Sequence, residues 1–259
     1  MWLAMHHLKY ALLTFLVAMH IALPSSSIQY SLYNRHPELI KLPKKIVWAW
    51  QRPEDLRWLP ADVGVAYVAS SITLEKDRAY LQPRMQALLV PLENIIIPVV
   101  HVDASSRKPP GLNITQQTII VDELVRVAQY GNGHMVQLDF EVRRSQRAFL
   151  TSVVKAARQR LPKDTAFSIT ALASWCAGDH WLGGLPVDEI VPMAFRMAGS
   201  AAEIRKLLAS AGRFSPAHCQ TAIGTAIDEP GIASHVYTNV VHYYFSPKPW
   251  TRQLWEQQQ

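Results

Sequence analysis

Between Gln137 and Glu141 the chain reads Gln-Leu-Asp-Phe-Glu. In an extended strand this alternation puts Gln137, Asp139 and Glu141 on one face and Leu138 and Phe140 on the other. Polar groups at i, i+2 and i+4 inside a core are costly unless they are used or bonded to one another. Two carboxylates this close cannot both stay ionised cheaply, so one of them keeps its proton toward neutral pH. A carboxylic acid in that state is a general acid, and Glu141 is the candidate, with Asp139 orienting it or stabilising positive charge. The competing reading is a polar network satisfied by Arg or His from neighbouring strands.

Other apolar runs end in residues of matching chemistry. Trp48 and Trp50 share a face ahead of Gln51 and Arg52, and His101 shares one with Asp103. Trp175 closes a further run and is followed by Asp179 and His180. Arg196, the pair Asp228 and Glu229, and the pair His242 and Tyr244 end the last three. Indole planes beside carboxylates suit sugars, whose C–H faces stack on rings while their hydroxyls need acceptors. Gln137, Trp48, Trp50, His101, Asp103, Trp175, Arg196 and Tyr244 are therefore the expected substrate contacts, with plain core the equal alternative for Trp48, Trp50 and Trp175, and a nucleophile or base is sought among Asp103, Asp179 and Glu229. His101, Asp103 and Asp139 could ligate a metal, but no H-x-x-E-H or cysteine cluster accompanies them, so no metal and no cofactor is expected.

These residues need elements that bring them to one rim. Eight apolar runs predict strands: Ile46–Trp50, Val63–Ser70, Ile95–Val102, Met135–Glu141, Phe167–Ser174, Ile190–Phe195, Gln220–Thr225 and Val240–Phe245. Most are continuous and rich in β-branched residues, as in parallel strands covered on both faces. Helical spacing over Thr115–Tyr130, Ser145–Leu161 and Ser200–Ala211 alternates with them. Gln51–Pro60 is too short for a helix of any length, Ile72–Val90 is expected as a β-excursion turning at Lys76-Asp77-Arg78, and Cys176–Val187 as a loop. The expected fold class is α/β, a trimmed (β/α)8 TIM-like barrel with several short or missing helices, in which reacting groups sit at the C-terminal strand ends. An open doubly wound sheet is the alternative, weakened by the lack of a Gly-rich loop after the first strand.

The chain has 259 residues, of which 49% are hydrophobic and only 18% charged, which excludes a disordered chain or a coiled coil. Its net charge of +6 comes from scattered Lys and Arg rather than a basic face, so no nucleic-acid partner is expected. Ala11 to Leu23 is an apolar run of 13 residues followed by Pro-Ser-Ser-Ser, inside the length of a signal-peptide core and short of the ~20 that span a bilayer. Residues 1–27 are expected as an export signal or an N-terminal membrane anchor, 28–44 as a linker, and 45–259 as one barrel domain, monomeric, in the periplasm or cell envelope. Cys176 follows the C-terminal end of one strand and Cys219 precedes the N-terminal end of another. An even cysteine count in an exported chain permits a disulfide, but on opposite rims the two would be too far apart to bridge, and the geometry speaks against it.

Five of these segments carry a resemblance: Val47-Trp-Ala-Trp-Gln-Arg52, Val99-Val-His-Val-Asp103, Val136-Gln-Leu-Asp-Phe-Glu141, Ser168-Ile-Thr-Ala-Leu-Ala-Ser-Trp175 and Val191-Pro-Met-Ala-Phe-Arg196. Together, over Lys45 to Phe245, they resemble a bacterial family of exported proteins classed as a domain of unknown function, which implies a glycoside-hydrolase-like barrel. More distantly the chain is similar to family 18 glycoside hydrolases, the chitinase group. Glu141 falls on the acid of their D-x-x-D-x-D-x-E strand and Asp139 on its last Asp, while His134 and Gln137 replace the two earlier Asp residues. Their M-x-Y-D becomes Met193-Ala-Phe195-Arg196. These departures remove groups that help a substrate N-acetyl group attack the anomeric carbon. The resemblance thus implies an acid at Glu141 without implying chitin as substrate, and Arg196 is expected to pair with Asp139 or Glu141 or to bind an acidic sugar. Two functions remain open: a carbohydrate-active enzyme acting on a poly- or oligosaccharide, and a non-catalytic sugar-binding barrel or envelope scaffold.

Overall fold

Runs such as Ile96-Ile-Pro-Val-Val are apolar on both faces and form strands only where both faces are covered. The computed structural model describes residues 36–179, 181–229 and 240–258. It opens with a short helix α1 (Pro37–Ile40), then β1 (Lys45–Ala49), β2 (Glu54–Asp55), β3 (Val63–Glu75), β4 (Arg78–Pro83), β5 (Leu88–Leu89) and β6 (Ile96–Ala104). Strands and helices then alternate: α2 (Ile114–Ala128), β7 (Met135–Phe140), α3 (Arg147–Arg160), β8 (Ala166–Leu172), α4 (Ala173–Ala177), β9 (Glu189–Met193), α5 (Ala201–Ala211), β10 (Ala222–Ala226), β11 (Val241–Phe245) and α6 (Arg252–Glu256).

The sheet order is β1-β11-β10-β9-β8-β7-β6-β3, and β1 also pairs with β3, so eight parallel strands close on themselves. Asp139 lies on the fourth strand of this barrel. The antiparallel excursion is present as β4, which folds back on β3 with Glu75 opposite Arg78. β2 and β5 form a separate two-stranded sheet.

Alternation sorts the core into layers. Ile46, Trp48, Ala66, Val99, Met135, Val191, Tyr243 and Phe245 fill the inside of the barrel. Val136, Leu138, Phe140, Phe167 and Ile169 face outward against α2, α3 and α5. Asn113 caps α2 in a reciprocal box with Gln116, and α5 ends at Gly212, whose φ of 70° suits a residue without Cβ. No helix follows β1. There the outer face is covered by Leu56, Leu59, Trp250 and Trp255. Arg52 ties this region together, bonding the Glu54 carboxylate at 2.6 Å and the carbonyls of Ser246, Pro247 and Lys248. Glu54 also accepts from the Trp250 N–H at 2.9 Å.

Three expectations need correction. The stretch read as linker sends Leu39 and Leu42 into the inner core, because the N-terminal end of a barrel left open would expose its apolar lining. Cys176 and Cys219 form a disulfide with Cα atoms 6.0 Å apart. The opposite-rim argument fails because β8 stops at Leu172 and α4 packs against both β8 and β9, while the 3-10 turn at Ala217–Cys219 packs against β9 as well. The two sulfurs therefore meet in the outer layer, where both cysteines are fully buried. The segment after residue 172 is accordingly a short helix rather than the end of a strand. The export segment, residues 1–27, lies outside the described residues; among these, no helix is long and apolar enough to cross a membrane.

Candidate active site

β6 and β7 run parallel with His101 directly beside Asp139. Leu138 and Phe140 face the helices, so Asp139 points into the barrel, where it is 4% exposed. Both of its oxygens are engaged. The Thr170 hydroxyl on β8 donates to Oδ1 at 2.6 Å, and His101 Nδ1 donates to Oδ2 at 2.8 Å.

Burial alone would depress the His101 pKa, but the hydrogen bond to Asp139 and the charges of Asp139, Asp103 and Glu141 outweigh it and raise the imidazole above its ordinary value. Glu141, just past the end of β7, is exposed at the rim and bonded to no other group among the described residues. Desolvation, then the charge of Asp139 and to a lesser degree that of Asp103, raise its pKa, with only partial relief from His101. Of the two carboxyl groups, Glu141 is thus the one that gives up its proton less readily than usual.

Glu141 borders a cleft of about 340 Å³ lined by Trp50, Leu172, Met193, Phe195, Arg196, Asp228 and Phe245. Trp50 is half-buried, packs against Trp48 at 5.6 Å and meets the His101 ring edge-on at 5.9 Å. Phe195 and Phe245 lie 4.6 Å apart, and the Phe245 ring is 6.3 Å from that of Trp50. Gly224 makes room for them, since a Cβ there would stand 2.9 Å from the Phe245 ring.

The remaining expected contacts divide by depth and by face. Gln137 is fully buried below Asp139 and donates to Ser168 Oγ at 2.8 Å. Ser168 and the Tyr243 hydroxyl both donate to Glu189 Oε2, at 2.9 and 2.8 Å. Gln137 thus belongs to an internal polar layer under the mouth. Trp48 is also fully buried, stacked on Phe245 at 4.5 Å. Trp175 sits on α4 in the outer core against Trp181, because the strand alternation does not extend past Leu172. Tyr244 faces outward, stacked on His242 and edge-on to Trp255. Burial, and then the charge of Lys45, lower the His242 pKa to about 4, so that ring is neutral. The inward face of β11 is Val241, Tyr243 and Phe245.

Arg196 lines the cleft but pairs with neither Asp139 nor Glu141. Its guanidinium bonds Asp228 at 2.7 Å and Glu229 at 2.8 Å, and Arg205 holds the other Glu229 oxygen at 2.8 Å. Its φ of 50° is a left-handed conformation, fixed by the Glu229 carboxylate on its own N–H. Asp179 is bridged to Arg147, and His180 lies outside the described residues. Asp103 is exposed one step beyond His101 on the same face. No cluster among the described residues is arranged to hold a metal ion. Sequence reasoning missed Thr170, Phe195 and Phe245 as parts of the site. Alternation from Ser168 marks Thr170, whereas nothing in the sequence separates the two aromatic faces of β11.

The solved structures similar to this chain include the following two. The spore cortex-lytic enzyme SleL of Bacillus cereus matches at 15% identity with a TM-score of 0.47, over 71% of this chain and 52% of that one. The chitinase domain of the spore coat protein CotE from Clostridium difficile matches at 12% identity with a TM-score of 0.36, over 58% of this chain and 49% of that one. The match spans about half the length of each of these two chains. No family model and no curated protein sequence matches the chain.

Proposed function

We propose that this barrel is a carbohydrate-active enzyme of the glycoside-hydrolase type, with Glu141 as its general acid. The observation that carries the reading is the difference in surroundings of the two carboxyl groups. Asp139 accepts hydrogen bonds from His101 and Thr170, while Glu141 is left unbonded beside it with a raised pKa at the edge of an aromatic cleft. A sugar ring lies against Trp50 or Phe195 with a glycosidic oxygen at Glu141. Glu141 protonates that oxygen as its bond to the anomeric carbon breaks, water bonds to that carbon in turn, and the proton the water sheds restores the Glu141 carboxyl group. The Asp139 side chain beneath, held by Thr170 and His101, then faces the positive charge that develops on the ring.

The test is a screen of the purified protein against a polysaccharide panel, reading reducing ends and binding together, with Glu141→Gln alongside. Turnover by the parent and its loss in the variant, with binding retained, is the expected result. Turnover unaffected by Glu141→Gln overturns the assignment.

One observation favours a second reading, a sugar-binding barrel without turnover. Asp228 and Glu229, the acids across the cleft, are both engaged by arginine, so neither is an unencumbered base. Binding of a glycan with no release of reducing ends in the same screen selects that reading.

Export to the cell envelope is part of the proposal. It is supported by the apolar run Ala11 to Leu23 and by the Cys176–Cys219 disulfide, a bond that persists in oxidising compartments. Whether the N-terminus is removed or stays as an anchor is read by the mass of the protein recovered from the envelope fraction.

A further inference from the structure

The rim of the barrel is not level. β3 has 13 residues and β6 nine, against five each for β1, β9, β10 and β11. The two long strands continue past the mouth, and β4 pairs back onto β3, so that a three-stranded wall stands beside Glu141. Its two faces differ. Ile72 and Leu74 are buried in the outer core and Ala79 packs against it. Ser71 and Thr73 alternate with them and so belong to the opposite, mouth-facing side. Gln82 is paired with Ser71, and Tyr80 with Thr73.

That side is in register with the candidate acid. Ser71 lies beside His101, Thr73 beside Asp103, and His101 beside Asp139. From the strand of Glu141 the row therefore runs across Asp103 and Thr73 to Tyr80. Three strand spacings carry it roughly 14 Å from the acid. Tyr80 is 49% exposed, so its ring is half open to solvent at the far end of a row of hydroxyl and carboxylate groups.

The wall is held at several points. Gln116 Nε2 donates to the carbonyls of Lys76 and Arg78 at 3.0 and 2.8 Å, which pins the turn to the start of α2. Lys108 bridges Glu75 at 2.9 Å, and Gln51 Nε2 donates to the Gln82 carbonyl at 3.1 Å. A face fixed in this way before binding loses little freedom on contact with a ligand.

We propose that this face is a second glycan subsite, in which a polysaccharide held at Glu141 continues along Asp103 and Thr73 and lays a further sugar ring on Tyr80. The proposal rests on the reading of the mouth as a glycan site and adds its length: the ligand is a polymer, and a disaccharide at the acid does not reach the wall. Asp103 and Thr73 take the hydroxyls of the intervening rings, and Tyr80 takes the C–H face of the last.

The test compares polymer with disaccharide. The parent, Tyr80→Ala, Tyr80→Phe and Trp50→Ala are measured for sedimentation with insoluble chitin, cellulose and peptidoglycan sacculi, and for binding of the disaccharide unit of each polymer. Tyr80→Ala is expected to weaken polymer binding about five- to tenfold, the effect of removing one aromatic anchor. Tyr80→Phe should match the parent, and disaccharide binding should not change. Polymer binding that Trp50→Ala weakens and Tyr80→Ala leaves intact overturns the subsite and spares the reading of the mouth. Equal loss of polymer and disaccharide in Tyr80→Ala overturns it too, since the effect is then not one of reach. A parent that binds none of the ligands overturns the reading and the subsite together. Should Tyr80→Ala lower the melting temperature, Thr73→Val reads the same split between polymer and disaccharide.

Discussion

At the scale of single residues the proposed site turns on two carboxyl groups with different surroundings. Glu141→Gln keeps size and hydrogen bonding but removes the transferable proton, so turnover should fall by roughly 10²–10⁴ while glycan binding persists. Its effect on stability has a defined sign. The folded pKa of Glu141 is raised above its ordinary 4.5, so below that pH the carboxyl is protonated in both folded and unfolded chains. As the pH climbs through the folded value the unfolded chain ionises more readily, and the native state loses stability. Thermal melts should show Glu141→Gln at or above the parent at neutral pH, with any gain gone in acid. His101 adds a second slope of the same sign. Its folded pKa is raised above 6.5, so its pairing with Asp139 contributes fully below that value and is lost as pH rises through the folded pKa. His101→Ala should cost about 1–3 kcal/mol in urea unfolding below that window, because it strands a buried carboxylate oxygen, and less above it. The shared face of Gln137, Asp139 and Glu141 was legible from alternation alone. Their depth was not: at ~3.3 Å per residue Gln137 lies roughly 13 Å below Glu141, in the interior rather than at the mouth. On β11 both faces are aromatic, and polarity favoured His242 and Tyr244, the outward pair, because burial of the inner Tyr243 and Phe245 leaves no mark in the sequence.

At the scale of elements, all eight barrel strands and the three long helices follow from apolar periodicity, with ends shifted by a few residues. What escaped was the path of the chain around Trp175 to Cys219. A strand and a short helix are both apolar at Ala171-Leu-Ala-Ser-Trp175, and only the turn into α4 carries Cys176 back along β9 to its partner. The disulfide joins residues 43 apart in sequence, and its removal in a Cys176→Ala, Cys219→Ala variant should cost about 2–4 kcal/mol, seen as an earlier unfolding midpoint that no longer responds to reductant. β10 offers a separate test. In Gly224→Ala the new methyl meets the Phe245 ring at 2.9 Å and the Phe195 ring at 3.5 Å. The aromatic side of the cleft must shift, so stability should fall by about 1–3 kcal/mol and glycan affinity with it. Unchanged binding by Gly224→Ala would show that Phe195 and Phe245 are not contacts.

For the whole molecule, residues 35–259 form one compact unit. A chain lacking Met1 to Ser27 should therefore keep the thermal midpoint of the full chain, measured by circular dichroism, and a large loss would assign the segment to the core. The barrel form itself was legible because continuous apolar strands alternating with helices leave few other ways to cover both faces. Its closure has a consequence in time. The first strand is completed by the last: β1 lies between β3 and β11, and Arg52 and Glu54 await Ser246, Pro247, Lys248 and Trp250. A chain made or threaded from its N-terminus holds β1 as an open edge until β11 has arrived. The knot of contacts around Arg52 thus registers the arrival of one distant segment: a chain that stops short of Ser246 cannot tie it.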